Sequence, residues 1–213
     1  MSLRITEIFH SLQGEARDTG RPTVFVRLTG CPQRCVWCDT PYAFEGGEQF
    51  SLEGILERVE AVGCDRVTVT GGEPLAQPDS RELMRMLCDR GYSVSVETGG
   101  ALDISGIDER VSIVMDLKAP GSGEMHNNRR ENIVLLRGKD QVKLVLADRR
   151  DYEWARMQLD EHRLLDRVGE VLFSPVWGQL EPAQLAEWIL EDRLPVRMQV
   201  QLHKMLWGEE PGR

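Results

Sequence analysis

Three cysteines in one short segment have the spacing of an iron–sulfur ligand set. Cys31, Cys35 and Cys38 form a C-x3-C-x2-C pattern between Gly30 and Asp39. A cubic 4Fe–4S cluster has four irons, and three thiolates bind only three of them. The fourth iron is then open to another ligand. The pattern therefore predicts a cluster that can bind a small molecule directly.

The alternatives to a cluster are a zinc site and a disulfide framework. A closed structural zinc site uses four Cys or His ligands, commonly in two pairs, whereas Cys64 and Cys88 stand alone in the sequence. We expect both to be inert thiols, Cys64 before a strand and Cys88 on an apolar helix face. The odd count of five cysteines and the lack of a signal peptide disfavour disulfides and favour a reducing compartment. Zinc remains open at this point.

Composition favours one globular domain, spanning residues 1–213. The chain has 213 residues, of which 41% are hydrophobic and 29% charged, enough for one substantial core. A net charge of −9 argues against broad binding to nucleic acid or anionic membranes, and no apolar run approaches the ~20 residues of a membrane span. We expect a soluble, cytoplasmic protein whose partner is a small molecule.

Short apolar or β-branched segments alternate with segments of helical spacing. The predicted strands are 23–28, 66–70, 93–97, 112–117, 141–146, 170–173 and 196–202, and the predicted helices include 52–62, 80–90, 150–159 and 182–191. Repeated strand and helix units indicate an α/β fold with a parallel sheet, either open and doubly wound or a closed or partial barrel. About six units are too few for a full eight-fold barrel.

Either architecture places the chemistry at the carboxyl ends of the strands. The strand 23–28 leads directly into the cysteine loop, and the strand 66–70 runs into Gly71, Gly72 and Glu73. Adjacent glycines let a ligand approach the main chain closely. A glycine pair is also common in ordinary connections between strand and helix, so this motif alone is weak.

The cysteine loop and the glycine motif together resemble the radical S-adenosylmethionine superfamily, in which an aromatic residue such as Trp37 precedes the last cysteine. Within it, the chain resembles the 7-carboxy-7-deazaguanine synthase family from end to end, through segments 11–15, 25–28, 38–40, 70–74, 116–118, 121–123 and 201–204. The resemblance implies a partial (β/α)6-type barrel of parallel strands, a cluster loop at 30–40 and a substrate-capping segment at about 196–213.

The resemblance also implies a reaction. The amino and carboxylate groups of S-adenosylmethionine would chelate the open iron, and one electron would cleave the sulfonium to methionine and a 5'-deoxyadenosyl radical. The radical would abstract hydrogen from 6-carboxy-5,6,7,8-tetrahydropterin, which becomes 7-carboxy-7-deazaguanine with loss of ammonia. This lyase belongs to queuosine and 7-deazapurine biosynthesis. It would need Mg²⁺ and a one-electron donor such as a flavodoxin or ferredoxin.

The resemblance assigns two sets of ligands around the cysteines. Cys31, Cys35 and Cys38 would bind the cluster, and the equivalent of Thr40 helps to bind magnesium, although Asp39 and Thr40 also suit a plain capping turn. The residues implied for S-adenosylmethionine are Trp37, Cys38, Asp39, Gly72, Asp116, Leu117, Lys118, Ser122, Ser174, Pro175 and Val176.

The substrate would need both hydrogen-bond partners and a cation for its carboxylate. Arg27 could bind that carboxylate through two parallel hydrogen bonds, or it could form an ordinary salt bridge. Glu15 could instead be a solvated turn residue. His203, at a predicted strand end, could instead be a structural histidine. The residues implied for the substrate are Leu12, Gln13, Gly14, Glu15, Arg27, Thr70, Glu97 and His203.

Two other functions and a dimer remain open from the sequence. A glycyl-radical activase would share the cluster motif but need an open face for a protein, and a simple electron carrier would need a fourth thiolate. A homodimer could use the tryptophans of the C-terminal part, Trp177, Trp188 and Trp207, which could equally be core residues.

Overall fold

The computed structural model describes residues 1–212, so Arg213, the last residue of the predicted capping segment, lies outside the described residues. Nine strands form one sheet: β1 (Ser2–Leu12), β2 (Pro22–Leu28), β3 (Glu48–Ser51), β4 (Arg66–Gly71), β5 (Ser93–Thr98), β6 (Ser112–Asp116), β7 (Gln141–Leu146), β8 (Glu170–Pro175) and β9 (Arg197–Met198). The α-helices are α1 (Leu52–Val62), α2 (Ser80–Asp89), α3 (Arg149–Glu161), α4 (Leu164–Arg167), α5 (Pro182–Glu191) and α6 (Leu202–Trp207).

The strand order is β3-β1-β2-β4-β5-β6-β7-β8-β9. From β2 to β9 every neighbouring pair is parallel, whereas β1 runs antiparallel to both β2 and β3. The two outer strands, β3 and β9, do not pair with each other within the described chain, so the sheet is an open, partial barrel. This confirms the predicted α/β fold class.

The helices begin where the sequence supplies N-terminal caps. The Ser51 hydroxyl accepts a hydrogen bond from the Gly54 N–H at the start of α1, and the Asp148 carboxylate accepts one from the Asp151 N–H at the start of α3. Pro182 occupies the first turn of α5, where its missing N–H costs nothing. Each cap satisfies a backbone donor that the helix itself leaves without a partner.

The sheet has an apolar face and a polar face because side chains alternate along each strand. In β2, Val24, Val26 and Leu28 are fully buried in the hydrophobic core beneath the helices. Phe25 and Arg27, at the intervening positions, line a cavity on the opposite face. The same alternation in the next strands brings polar side chains to that cavity.

Three features differ from the sequence-based expectation. The antiparallel strands β1 and β3 were not predicted, and the predicted strand 196–202 is reduced to the two residues of β9 at the sheet edge. Leu202 begins α6 instead, because its N–H donates to the carbonyl of Gly14 and not to a strand. None of the helices in residues 1–212 is both long and apolar enough to cross a membrane.

Candidate active site

The cysteine loop after β2 forms one wall of a cavity of about 480 Å³. Cys31, Cys35 and Cys38 all line it, and all three are free, partly exposed thiols. The Gly30 N–H donates to the carbonyl of Ala43 at 2.8 Å, which closes the base of the loop, and the Cys38 N–H donates to the Cys35 carbonyl at 3.2 Å. The backbone therefore gathers three thiols on one wall.

Arg34 fixes the shape of this loop from within. Its guanidinium donates to the carbonyls of Cys31 and Gln33, both at 2.7 Å, and lies 4.3 Å from the centre of the Phe44 ring. The Arg34 N–H donates to the carboxylate of Glu124 at 2.8 Å. These contacts fix the backbone that carries the thiols.

Gly72 is required by a close approach between the end of β4 and the cysteine loop. A Cβ atom at this position would overlap the Gly30 carbonyl oxygen and lie 2.7 Å from the Cβ of Cys31. The Glu73 N–H also donates to the Gly30 carbonyl at 2.8 Å. The absence of a side chain therefore lets the main chain of Gly72 reach the cavity beside the cysteines.

Glu73 has a structural role in this arrangement. Its fully buried carboxylate accepts hydrogen bonds from the Thr98 hydroxyl and from the N–H groups of Leu75 and Gly99, at 2.8 to 3.0 Å. Burial raises the pKa of this carboxyl. These bonds join the ends of β4 and β5, which both border the cavity.

The cysteines fit a 4Fe–4S cluster. Burial raises the pKa of the Cys31 and Cys35 thiols, and metal binding would displace those protons. Among residues 1–212, no three His, Cys, Asp or Glu side chains converge as they would around a single metal ion. A cubic cluster does not need such convergence, because each thiolate binds a different iron.

Charged side chains at the end of β6 and within β7 face the same cavity. The Asp116 carboxylate forms an ion pair with Lys118 Nζ at 3.0 Å and a longer one with Lys143 Nζ at 3.7 Å. Asp116 and Lys143 are direct register partners across the two strands. The second carboxylate oxygen of Asp116 is buried without a hydrogen-bond partner in the described chain, which leaves an acceptor for a bound ligand.

Gln13, Thr70 and Glu97 form a polar part of the cavity wall. The Gln13 amide donates to Glu97 Oε1 at 3.2 Å, and the Thr70 hydroxyl donates to Glu97 Oε2 at 3.0 Å. Burial and the neighbouring charge of Glu15 raise the pKa of Glu97. The wall therefore presents a buried carboxyl group held in place by two hydrogen bonds.

Glu15 is held by partners from two distant parts of the chain. The Lys143 ammonium donates to Glu15 Oε2 at 2.5 Å, and the Gln201 amide donates to Oε1 at 2.7 Å. Burial raises the pKa of Glu15, but the charge and hydrogen bond of Lys143 outweigh it and leave the pKa below its ordinary value. Glu15 is therefore a fixed, ionised carboxylate.

Arg27 forms the salt bridge that was one of the two alternatives left open by the sequence. Its Nε donates to Glu7 Oε1 at 2.6 Å, and the Tyr42 hydroxyl donates to the same oxygen at 2.9 Å. The guanidinium also lies 5.7 Å from the centre of the Phe9 ring, and the side chain is 15% exposed at the cavity wall. The salt bridge thus uses Nε of Arg27, and the side chain that carries the other two guanidinium nitrogens lines the cavity.

Thr40 and Asp39 lie between the cysteines and the C-terminal segment. The Thr40 hydroxyl donates to Asp39 at 3.0 Å and makes no capping bond to the 3-10 turn Pro41–Ala43. Although burial raises it, the charges of Lys204 and Lys143 lower the pKa of Asp39 to about 2. Hydroxyl and carboxylate oxygens are ligands that magnesium prefers, so Thr40 fits the predicted ion.

The C-terminal segment packs over the N-terminal one. A Cβ atom at Gly14 would overlap the ring of His203, so the glycine makes room for that histidine. His203 lies on α6 and not at a strand end as expected, and burial lowers its pKa. Residues 208–212 also line the cavity. The two chain ends thus form one side of it.

The structure brings most of the predicted site residues to this one cavity. Four predicted cofactor residues are instead buried away from its wall: Leu117, Ser122, Ser174 and Pro175. The Ser122 hydroxyl donates to the Ala119 carbonyl at 2.6 Å, and its own carbonyl accepts from the Val36 N–H, which supports the cysteine loop. These four assignments stay predictions.

Sequence reasoning missed Lys143 and Tyr42 at the cavity, and it missed Glu7 as the ion-pair partner of Arg27. The signal for Lys143 was present: it is a charged residue in the middle of the apolar strand β7, just as Arg27 is in β2. Such a residue must be paired if its side chain is buried. Its partners could not be named from the sequence alone.

Comparisons with known proteins agree with this geometry. Residues 25–120 match the family model described as the Radical SAM superfamily. A 7-carboxy-7-deazaguanine synthase from Chlorobaculum tepidum is 46% identical over 98% of this chain and 96% of its own length. Another from Koribacter versatilis is 41% identical, over 98% of each chain.

A solved structure points the same way. The crystal structure of QueE from Escherichia coli superposes with a TM-score of 0.77 at 25% identity and covers 95% of each chain. The sequence matches extend over nearly all of the chain, and the matched family model spans the cysteine loop and the glycine motif. On these grounds the chain belongs to the 7-carboxy-7-deazaguanine synthase family of the radical S-adenosylmethionine superfamily.

Proposed function

We propose that this protein is a lyase that converts 6-carboxy-5,6,7,8-tetrahydropterin to 7-carboxy-7-deazaguanine with loss of ammonia. The observation that carries the proposal is one cavity that is lined both by the three cysteines and by the polar and charged side chains of Gln13, Glu15, Arg27, Thr70 and Glu97. Family membership names the reaction, and the cavity holds side chains suited to both ends of the substrate.

The cofactors are a 4Fe–4S cluster, S-adenosylmethionine and Mg²⁺. When bound, the cluster and S-adenosylmethionine supply the one-electron chemistry that starts hydrogen abstraction. Cys31, Cys35 and Cys38 would hold the cluster. The open main chain at Gly72 and the unpartnered oxygen of Asp116 suit the polar groups of S-adenosylmethionine.

The substrate end of the cavity contains a site for an anion and a site that accepts hydrogen bonds. The guanidinium of Arg27 can bind the pterin carboxylate with the nitrogens that its Glu7 pair does not use. Glu15, ionised and fixed, can accept hydrogen bonds from adjacent N–H groups of the ring. Thr40 would contribute an oxygen to Mg²⁺, which prefers few protein ligands together with substrate oxygens.

Neither alternative function gains support from a specific feature. An electron carrier would need a fourth thiolate, and Cys64 and Cys88 do not line the cavity. The Cys88 side chain is buried in the core, and the Cys64 thiol donates to the Pro22 carbonyl. A glycyl-radical activase would leave the Gln13, Glu15 and Arg27 set without a purpose.

Three further points belong to the proposal. The chain would act as one radical S-adenosylmethionine core domain with a C-terminal cap. Its electron donor would be a flavodoxin or ferredoxin. The protein would be located in the cytoplasm, where cluster thiols stay reduced.

A homodimer would use the exposed apolar surface of Trp177, which is 44% exposed, with Met205 and Leu206. Trp188 is a weaker candidate because its ring packs 5.3 Å from that of Tyr152. Sedimentation of the holoenzyme that shows only monomer at micromolar concentration would exclude the dimer.

Two variants of the cluster-loaded enzyme test the assignment of the cavity. Cys35→Ala removes a cluster ligand and is expected to abolish formation of both 5'-deoxyadenosine and 7-carboxy-7-deazaguanine. Arg27→Ala is expected to keep S-adenosylmethionine binding but to raise the KM for the pterin at least about tenfold, because a charge-assisted contact is lost. Equal losses of pterin and S-adenosylmethionine binding in Arg27→Ala would contradict its role.

A further inference from the structure

We propose that Lys143 is a positioning residue for the pterin site, whose ammonium holds the Glu15 carboxylate in the orientation that receives the substrate. The identity of the ligand rests on the proposed function above. The role of Lys143 rests on its own contacts, since it lies on β7 and no substrate-binding motif of the sequence includes it.

The first argument is the geometry of the carboxylate. Lys143 Nζ donates to one oxygen of Glu15 at 2.5 Å, and the Gln201 amide donates to the other at 2.7 Å. Only 15% of the Lys143 side chain and 13% of the Glu15 side chain are exposed. A charge-assisted bond on one oxygen and an amide on the other leave the carboxylate little freedom to rotate. Its remaining lone pairs then have fixed directions in the cavity.

The second argument is a comparison of distances. Lys143 lies 3.7 Å from Asp116, whereas Lys118 lies 3.0 Å from the same carboxylate. Asp116, on the side of the cavity that faces the cysteines, therefore keeps a closer cation of its own. Lys143 itself lies closer to Glu15, at 2.5 Å, than to Asp116, at 3.7 Å, so we assign it to Glu15. Loss of its ammonium would affect the substrate end first and S-adenosylmethionine binding little.

The third argument is the charge that surrounds Glu15. The carboxyl group of Glu97 is buried close to Glu15, and the negative charge of Glu15 disfavours a second negative charge on it. A buried carboxylate beside another needs a cation, because an uncompensated buried charge is costly. Burial lowers the pKa of Lys143, but the charges of Glu15, Asp116 and Glu97 raise it overall, so the ammonium stays protonated. Lys143 thus supplies the compensating charge.

The test uses the anaerobic, cluster-loaded enzyme with Lys143→Met, which keeps the length of the side chain and removes its charge. We expect the Kd and KM for 6-carboxytetrahydropterin to rise at least about tenfold, since a buried charged contact is lost. The Kd for S-adenosylmethionine measured without pterin should change less than about threefold. Lys143→Arg, which keeps the charge, should recover part of the pterin affinity.

A matched control is Lys139→Met, which removes another partly buried, ion-paired lysine. Lys139 pairs with Asp140 at 3.0 Å and lies outside the cavity, so its variant should bind both ligands as the wild type does. If Lys143→Met does not fold, Lys143→Gln takes its place, and it too should raise the Kd and KM for the pterin. Wild-type pterin affinity in either variant would overturn the proposal.

A double variant separates this role from a general loss of structure. If Lys143 acts through Glu15, the pterin affinity of Glu15→Gln should fall no further when Lys143→Met is added, because coupled contacts are not additive. Additive losses would overturn the proposal. A wild-type enzyme that makes no deazaguanine would instead count against the proposed function, while the direct binding measurements would still decide the role of Lys143.

Discussion

At the residue scale, the charged side chains of the cavity form fixed pairs before any ligand arrives. Glu7 holds Arg27 through Nε, and Lys143 holds Glu15. Paired in this way, buried charges are tolerated and keep their orientation. Under the proposed function, the substrate would be recognised by the guanidinium and carboxylate atoms that these pairs do not use, and the site would favour a ligand with an anionic end and several N–H donors.

Glu97 gives a test at this scale through its dependence on pH. Burial and the charge of Glu15 raise its pKa in the folded protein. The unfolded chain therefore releases this proton at lower pH than the folded one, and the carboxyl group destabilises the fold progressively above its ordinary pKa. We expect Glu97→Gln to raise the thermal midpoint by about 2 °C or more at pH about 8.

The control for Glu97→Gln is the same comparison at pH about 4, where both forms of the chain hold the proton and the gain should largely disappear. The amide can still accept from Gln13, and it can donate to Thr70. A stabilisation that is equal at both pH values, or a loss at the higher one, would contradict the raised pKa.

At the scale of elements, the sequence predicted the parallel strands and the helices well because their alternation and caps are local signals. Ser51 caps α1 and Pro182 lies in the first turn of α5, and both residue types favour a helix start locally. The predicted strand 196–202 was wrong outside the two residues of β9. The Leu202 N–H forms a long-range hydrogen bond with the Gly14 carbonyl, and Leu202 begins α6. β1 was missed because polar residues such as Arg4, Glu7 and His10 interrupt its apolar pattern.

The candidate site could be predicted only as far as its motifs reach. The thiols and Gly72 lie in motifs, so their positions at the cavity followed from the strand ends. Lys143 and Glu15 are separated by 128 positions in the chain, and no local pattern links them. Which charges pair depends on strand order and register, which the sequence did not provide in detail.

Gly72 provides a test of how two elements meet. Its missing side chain lets the end of β4 contact the cysteine loop, and a methyl group there would meet the Gly30 carbonyl. Because that contact is with backbone, we expect Gly72→Ala to cost about 1–3 kcal/mol of stability and to reduce the iron bound after reconstitution. The matched control is Gly138→Ala, since a Cβ atom there would meet nothing within 4 Å. Full iron loading of Gly72→Ala would contradict the account.

At the scale of the whole molecule, the two ends of the chain meet at the open side of the barrel. Gln201 donates to Glu15 across 186 positions, and the Leu202 N–H donates to the Gly14 carbonyl. The cysteine loop, in contrast, is held by β2, β4 and the loop after β6. The cluster side and the substrate side of the cavity therefore depend mainly on different parts of the chain, and Asp39, which contacts Gln201 and Lys204, links them.

A truncation before residue 201 tests that division. Without Gln201, His203 and Lys204, the substrate side loses its cover, and we expect the pterin Kd to rise at least about tenfold. Iron content and the cluster spectrum after reconstitution should stay near those of the full chain, because the truncation removes side-chain contacts to Asp39 but no backbone hydrogen bond of the cysteine loop. A truncated protein that binds pterin normally would contradict the capping role.

The most direct test of the central claim is the reaction of the whole enzyme. The cluster is reconstituted anaerobically and supplied with reductant, Mg²⁺, S-adenosylmethionine and 6-carboxytetrahydropterin, and the products are followed by mass spectrometry. The account predicts 7-carboxy-7-deazaguanine and ammonia in equal amounts, together with 5'-deoxyadenosine. Formation of 5'-deoxyadenosine without any deazaguanine would contradict the assigned substrate, and formation of neither would contradict the assigned cluster chemistry.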